Sequence, residues 1–228
     1  MAAIVTLNQD SPSVQYLCKK DKRLTKVISM VGPITYEPHT DNPFPFLIHE
    51  IIEQMLSIKA GAKIYGRFEE LCAGQITPES ISKLSVEEIK AIGTSTAKAN
   101  YIKNAASAVL TGELDFTKFP DMTDEAALKE LVSLRGIGTW TAKMYLIFVL
   151  DRQDILPFED VAFLQSYKWL YKTEDVSRAS IEKKCKKWKP YSSIAARFLY
   201  RALDMGFTKK EFHGNPSWRF SWHSAEAF

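Results

Sequence analysis

Apolar residues recur at helical spacing through most of the chain. From Phe46 to Ala60, Ile48, Ile51, Ile52, Met55 and Leu56 fall at i, i+3, i+4, i+7 and i+8, the stripe of an amphipathic helix. Thr77-Pro78-Glu79 reads as a helix start with proline at the first helical position, and Ser85-Val86-Glu87-Glu88 as another with Glu88 placed for a capping box. Thr96 to Thr111 predicts a long helix stopped by Gly112. Asp124 to Ser133, with Thr123 or Asp124 as N-cap, carries Leu128, Leu131 and Val132; beyond Thr139 the pattern resumes in Ala142, Leu146, Val149 and Leu150. Phe163, Tyr167 and Leu170, then Ser177 to Lys186, then Ser192 to Met205 through Ala195, Phe198, Leu199 and Ala202 complete the series. Residues 1–17 show little periodicity, Gly32-Pro33 and the two prolines of Thr40 to Pro45 are breaks, and Gly61 and Gly66 loosen Ala62 to Ala73. No run of alternating residues suits a sheet domain. The expected class is all-α.

With 228 residues the chain can bury a sizeable core, in one domain or two small lobes. Its 46% hydrophobic and 12% aromatic content is that of a folded protein, not a disordered one. A net charge of +3 neither requires nor excludes nucleic acid. No apolar run approaches the ~18 residues of a membrane span, and the N-terminus lacks a signal-peptide pattern. Cys18, Cys72 and Cys185 are odd in number and far apart, which reads as reduced thiols in an intracellular protein. They are too few for the four thiolates of an iron–sulfur cluster. Lys19 to Arg23 and the lysines from Lys183 to Lys189 read as solvated helix faces, with a DNA backbone as the other use of such charge. His49, Glu50 and Glu53 have no matching histidine at ligand spacing, so no metal site is expected there, nor at His213 and His223. The tail 212–228, with Trp218 and Trp222, is too apolar to stand in water and should fold back on the body.

One stretch organises the rest. Helix 124–133 is followed by Leu134-Arg135-Gly136-Ile137-Gly138-Thr139-Trp140-Thr141-Ala142-Lys143, an apolar run, and then Leu156-Pro157-Phe158-Glu159-Asp160. The whole reads as helix, tight Gly-x-Gly hairpin, helix, with Thr139 as the second helix's cap. Glycines two apart permit positive φ and close backbone approach, so Gly136 and Gly138 should not tolerate side chains. Outward amides backed by a helix dipole suit a phosphate oxygen. Ala91-Ile92-Gly93-Thr94-Ser95-Thr96-Ala97-Lys98 echoes Gly136 to Lys143 with one glycine in place of two, which favours a structural turn over a second DNA contact.

The sequence Leu134 to Ala142 followed by Leu156-Pro157-Phe158-Glu159-Asp160 resembles the helix-hairpin-helix DNA glycosylases that end in a Gly/Pro-rich loop and a catalytic aspartate. Within them it looks most like the 3-methyladenine DNA glycosylase II family, which Glu53 to Ala60 and Trp188-Lys189-Pro190-Tyr191-Ser192 also resemble. The resemblance runs from about Lys20 to Phe207. It implies one glycosylase unit over 1–228, in two helical lobes with the active cleft between them and the aromatic tail 208–228 appended. The N-terminal β-rich domain common in that family looks absent.

The resemblance implies a chemistry. Hydrolysing an N-glycosidic bond develops positive charge on the sugar, which a carboxylate stabilises or answers by directing water. Asp160 is matched to that role, although by itself it reads rather as an N-cap, and Glu159 is adjacent. The nucleotide must be flipped from the duplex, and Trp140, Met144 and Tyr200 are matched to the base pocket, Met144 at a position aromatic in some relatives. Trp140 as plain core is the alternative. Met55, beside Gln54, is matched to the wedge that fills the vacated stack, or else belongs to the core stripe. Arg135, Gly136, Ile137, Gly138, Thr139 and Thr141 are the DNA-binding set. Enzymes of this fold that nick the strand carry a Schiff-base lysine where Trp140 stands, so a monofunctional glycosylase is implied, with Lys143 solvated or near phosphate. The expected partner is damaged double-stranded DNA, bound by a monomer with no membrane contact, in the cytoplasm or, in a nucleated cell, the nucleus. No cofactor is expected beyond a monovalent cation at the hairpin. The rivals are a same-fold glycosylase for deaminated or oxidised bases and a non-catalytic helix-hairpin-helix DNA-binding protein.

Overall fold

Helices supply nearly all the regular structure of the computed structural model, which describes residues 3–212. In chain order they are α1 (Pro12–Lys20), α2 (Lys22–Val31), α3 (Pro43–Glu53), α4 (Ile58–Leu71), α5 (Pro78–Ser82), α6 (Val86–Ala91), α7 (Thr96–Leu110), α8 (Asp124–Ser133), α9 (Thr139–Phe148), α10 (Val161–Tyr171), α11 (Arg178–Cys185) and α12 (Ser192–Asp204). Two short strands, β1 (Val5–Leu7) and β2 (Ile34–Tyr36), join them. His213, Trp218, Trp222 and His223 lie outside the described residues. None of the described helices is long and apolar enough to cross a membrane.

The described chain divides into two compact units. The first, Pro38–Arg152, holds α3 to α9. Ile48, Ile51 and Ile52 on the inner face of α3 are fully buried, as the stripe predicts; Leu47 joins them, and the helix meets α4, α7 and α9. Each such side chain contributes about 1.5–3 kcal/mol of burial. Phe116 stacks on Tyr145 at 5.8 Å, and Phe119 tilts against the same ring at 5.6 Å. Arg152 ties off the unit by donating to the carbonyls of Phe119, Pro120 and Met122.

The stripe from Phe46 to Ala60 is not one helix. Gln54 N–H makes the last bond of α3, to Glu50 O at 3.2 Å, and Met55 then takes φ +59°. The chain restarts at α4, where Ser57 accepts from Ala60 N–H at 3.3 Å. Gly61 and Gly66, expected to loosen this region, lie inside α4. A Cβ at Gly61 would meet Glu53 Oε1 at 2.8 Å, so glycine there lets α4 pass the end of α3.

The second unit is Ala3–Glu37 with the chain from Gln153 onward. The aperiodic N-terminal stretch forms β1 and α1. β1 pairs antiparallel with β2, Thr6 opposite Thr35. Helix α12 packs on α2 and α10 around Leu24, Ile28, Phe163, Tyr167, Trp188, Phe198 and Leu199. Phe212 is buried here, edge-on to Trp169 at 4.9 Å.

Asp21 and Trp188 are not on the solvated faces that the lysine clusters suggest. Asp21 is buried between α1 and α2, and its Oδ1 caps α2 by accepting from Arg23 N–H at 3.0 Å and Leu24 N–H at 3.3 Å. Its Oδ2 accepts from Tyr171 Oη at 2.5 Å and Trp188 Nε1 at 2.9 Å, with Lys187 Nζ at 3.0 Å. Burial opposes the charge, but those donors outweigh it and hold the carboxyl below its ordinary pKa. Lys187 itself stays exposed, as do Lys183, Lys186 and Lys189.

Candidate active site and nucleic-acid interface

Helix α8 ends at Ser133, and the chain turns through Leu134, Arg135, Gly136 and Ile137 before α9 begins. Gly136 has φ +103°, and a Cβ there would sit 2.2 Å from Cγ of Tyr101 on α7. Both backbone and packing demand glycine. Gly138 differs from expectation. Its φ of −91° and ψ of 176° suit any residue, and nothing lies within 4 Å of a Cβ built on it. Gly138, not Thr139, is the N-cap, and Thr139 is the first helical residue. The reason is visible in the hydrogen bonding: Ala142 N–H reaches Gly138 O at 3.0 Å, so the helix already counts from 138. No side chain caps α9. The amides that open a helix precede its own hydrogen bonding and carry the positive end of its dipole. Here glycine leaves them uncovered by any cap.

Within the predicted DNA-binding set, Arg135 and Gly138 are exposed, Gly136 and Thr139 half-buried, and Ile137 and Thr141 buried. Thr141 turns its hydroxyl inward to accept from Gln54 Nε2 at 3.0 Å. The same Nε2 donates to Gly136 O at 3.0 Å. Gln54 therefore fastens the end of α3 to the hairpin. Met55 is outside the core stripe altogether, fully exposed on a left-handed residue. Lys98 from α7 reaches the same place, with Nζ 2.7 Å from Ile52 O and 2.6 Å from Gln54 O. Nothing in the spacing of the sequence singled Lys98 out, because its partners are backbone atoms more than forty residues away.

On α9, Trp140 is half-buried and Met144 buried. Lys143, expected in solvent or near phosphate, is buried as well. Helix α9 packs on both α3 and α8, so little of its circumference is left for water.

Asp160 belongs to the second unit. Pro157 O accepts its N–H at 3.0 Å, closing a tight turn, and the residue then caps α10: Oδ1 accepts from Phe163 N–H at 2.7 Å. The carboxylate is buried and its rotamer fixed. Asp160 is thus the N-cap of α10. Glu159, half-buried, lies in the field of Arg178, whose guanidinium covers the Phe158 ring at 4.7 Å and bonds Glu182 at 2.7 Å. Tyr200 is half-buried on α12, the helix that packs against α10.

Among the described residues no group of three or more His, Cys, Asp or Glu is placed to hold a metal ion. His49 sits between Glu50 Oε1 at 3.2 Å and Glu53 Oε1 at 3.4 Å. Burial works against its charge, but the carboxylates of Glu50, Glu53 and Glu69 prevail and raise its pKa.

Residues 48–190 match the model of the HhH-GPD superfamily of base excision DNA repair proteins. The chain is 30% identical over 193 residues to the alkylbase DNA glycosidase-like protein mag2 of Schizosaccharomyces pombe, covering 82% of this chain and 91% of that one. Among solved structures it is similar to a DNA-3-methyladenine glycosidase from Bacillus halodurans, with TM-score 0.78, 34% identity, and 92% and 97% of the two chains covered. It is also similar to the S. pombe 3-methyladenine DNA glycosylase Mag1 in complex with abasic DNA, with TM-score 0.77, 27% identity, and 85% and 97% covered.

Proposed function

The chain belongs to the HhH-GPD superfamily of base excision DNA repair proteins, and from that premise we propose that it is a monofunctional glycosylase releasing alkylated purines of the 3-methyladenine type from duplex DNA. The names of its relatives support the substrate class. The single observation that carries the reading is Asp160, a buried carboxylate locked by its cap bond three residues after Pro157. In a DNA-binding protein without chemistry the same residue would serve only as the cap of α10.

In this reading a backbone phosphate oxygen sits on the uncapped start of α9, and Arg135 adds charge beside it. Contacts of this kind give register without reading bases. Met55 enters the stack in place of the extruded nucleotide. The π faces of Trp140 and Tyr200 suit stacking with an electron-poor or cationic alkylated purine, and Met144 tunes the polarity such a base meets. As the bond from C1′ to the base nitrogen lengthens, the Asp160 carboxylate stabilises the positive sugar and helps direct water to C1′. The base leaves with the bonding pair and an abasic site remains. Trp140 has no amine for a Schiff base, which supports release without strand cleavage. A monovalent cation would draw on the hairpin carbonyls, of which Gly136 O and Leu134 O already accept hydrogen bonds; no step runs through it. We take the protein to act as an intracellular monomer.

The test is base release from methylated duplex DNA by the wild type and by Asp160→Asn, analysed with and without alkali. Free 3-methyladenine from the wild type, with breaks only after alkali, is expected. Asp160→Asn should lose roughly 10²-fold or more in rate, the scale of removing one preorganised electrostatic partner, with binding retained. Breaks without alkali would end the monofunctional reading, and unchanged release by Asp160→Asn would end the assignment of the carboxylate.

A further inference from the structure

Met55 is an unbranched, non-glycine residue held at φ +59°, a conformation L-residues adopt rarely. Something fixes it there. The φ of Met55 is set by the peptide plane that joins it to Gln54, and the oxygen of that plane is Gln54 O. Lys98 Nζ grips this oxygen at 2.6 Å, and Ile52 O at 2.7 Å. Both are carbonyls at the C-terminal end of α3, which its own hydrogen bonds leave unsatisfied and its dipole makes negative. Gln54 holds the other side of the plane through its side chain, to Gly136 O and Thr141 Oγ1. The ammonium is half-buried, and burial pulls its pKa below the ordinary value against the pull of Glu53.

We propose that Lys98 is a positioning residue for the duplex wedge: by clamping Gln54 O it holds Met55 in the left-handed conformation that stands the side chain out of the protein. This rests on the glycosylase reading above. Lys98 touches neither base nor sugar. It acts through Met55, and the segment around it, which looks in sequence like a second DNA hairpin, serves to set the wedge.

The experiment is a double-mutant cycle in the full chain, comparing wild type, Lys98→Met, Met55→Ala and the pair. One readout is single-turnover base release from methylated duplex. The other is the fluorescence of 2-aminopurine next to a tetrahydrofuran abasic analogue, which brightens when a wedge unstacks it. Thermal melting comes first, and all rates are taken well below the lowest midpoint. Should Lys98→Met not fold, Lys98→Gln is read in the same way. Lys98→Met should slow release about tenfold or more, as misplacement at a distance does, and abolish the brightening while salt-sensitive binding persists. On the Met55→Ala background it should slow release no further. Equal slowing on both backgrounds, or slowing on neither, overturns the proposal. If the wild type releases no base the glycosylase reading fails, and the 2-aminopurine comparison still decides whether Lys98 sets Met55.

Discussion

The turn between α6 and α7 and the turn between α8 and α9 are built alike and finished differently. Gly93 has φ +110° and Gly136 φ +103°. The next residues, Thr94 and Ile137, are both buried. Then come the N-caps, Ser95 and Gly138, both extended, with Ala99 N–H reaching Ser95 O and Ala142 N–H reaching Gly138 O, each at 3.0 Å. The structural match pairs Gly93 with Gly136. The sequence echo, Ile-Gly-Thr-x-Thr-Ala-Lys, pairs it with Gly138 and is two residues out of register. What separates the turns is the cap. Ser95 Oγ accepts from Lys98 N–H at 3.2 Å and covers the helix start; Gly138 has no side chain to do so. A glycine in place of a serine cap costs only a few tenths of a kcal/mol. For that small loss the second turn gains a helix end suited to an outside anion. On the reading proposed above, a helix-hairpin-helix becomes a phosphate site by omission.

The largest effect should come from the shared glycine. Gly136→Ala forces a Cβ onto Tyr101 as well as a left-handed alanine, and should cost about 3–4 kcal/mol. Gly93→Ala meets nothing nearer than Arg67 Nη1 at 3.5 Å, so only the backbone strain of about 1–2 kcal/mol remains. Urea denaturation measures both, and equal losses would mean the Tyr101 contact relaxes freely. Next, Gly138→Asp places a cap and a negative charge where the phosphate should sit. It should fold at least as well as wild type, bind DNA tenfold or more weakly, and flatten the salt dependence by about one phosphate contact. Undiminished binding would remove α9 from the interface. Ser95→Ala should lose about 1 kcal/mol of stability and leave the salt dependence as it was; weakened binding there would make both turns DNA contacts.

The smallest effect is in alkali. The folded chain holds the Lys98 pKa below its ordinary value, so between the two values the unfolded chain binds more protons and stability should rise as pH climbs through that window. Lys98→Met should remove this rise. A rise unchanged by the substitution would mean the ammonium is not held where its hydrogen bonds place it.

The helices with a cap, a stop or a clear stripe, α7, α8, α11 and α12, were legible because those signals lie within one or two turns of the helix itself. The hairpin was legible through its two glycines between two helical patterns, whereas Asp160 stood out only through the resemblance of Leu156-Pro157-Phe158-Glu159-Asp160 to a family motif. The break at Gln54 was not. Met55 and Leu56 continue the stripe, and what ends α3 is hydrogen bonding with Lys98 and Gly136, 44 and 82 residues from Gln54. Strands of three residues leave too short an alternation to read. Asp21 looked like one charge among lysines, although its partners Tyr171 and Trp188 are 150 and 167 residues away. Lys143 looked solvated because spacing along one helix does not say how many neighbours surround it.

The bond from Gln54 to Gly136 makes one rigid piece of the loop that carries Met55 and the turn that opens α9. On the reading proposed above, the protein cannot grasp a strand and hold its pin back. Each grasp presses the pin against the bases, and an intact pair pushes back harder than one loosened by damage. Inspection of the duplex then needs no separate motion, and what the protein measures at each stop is how readily the helix yields to a fixed point.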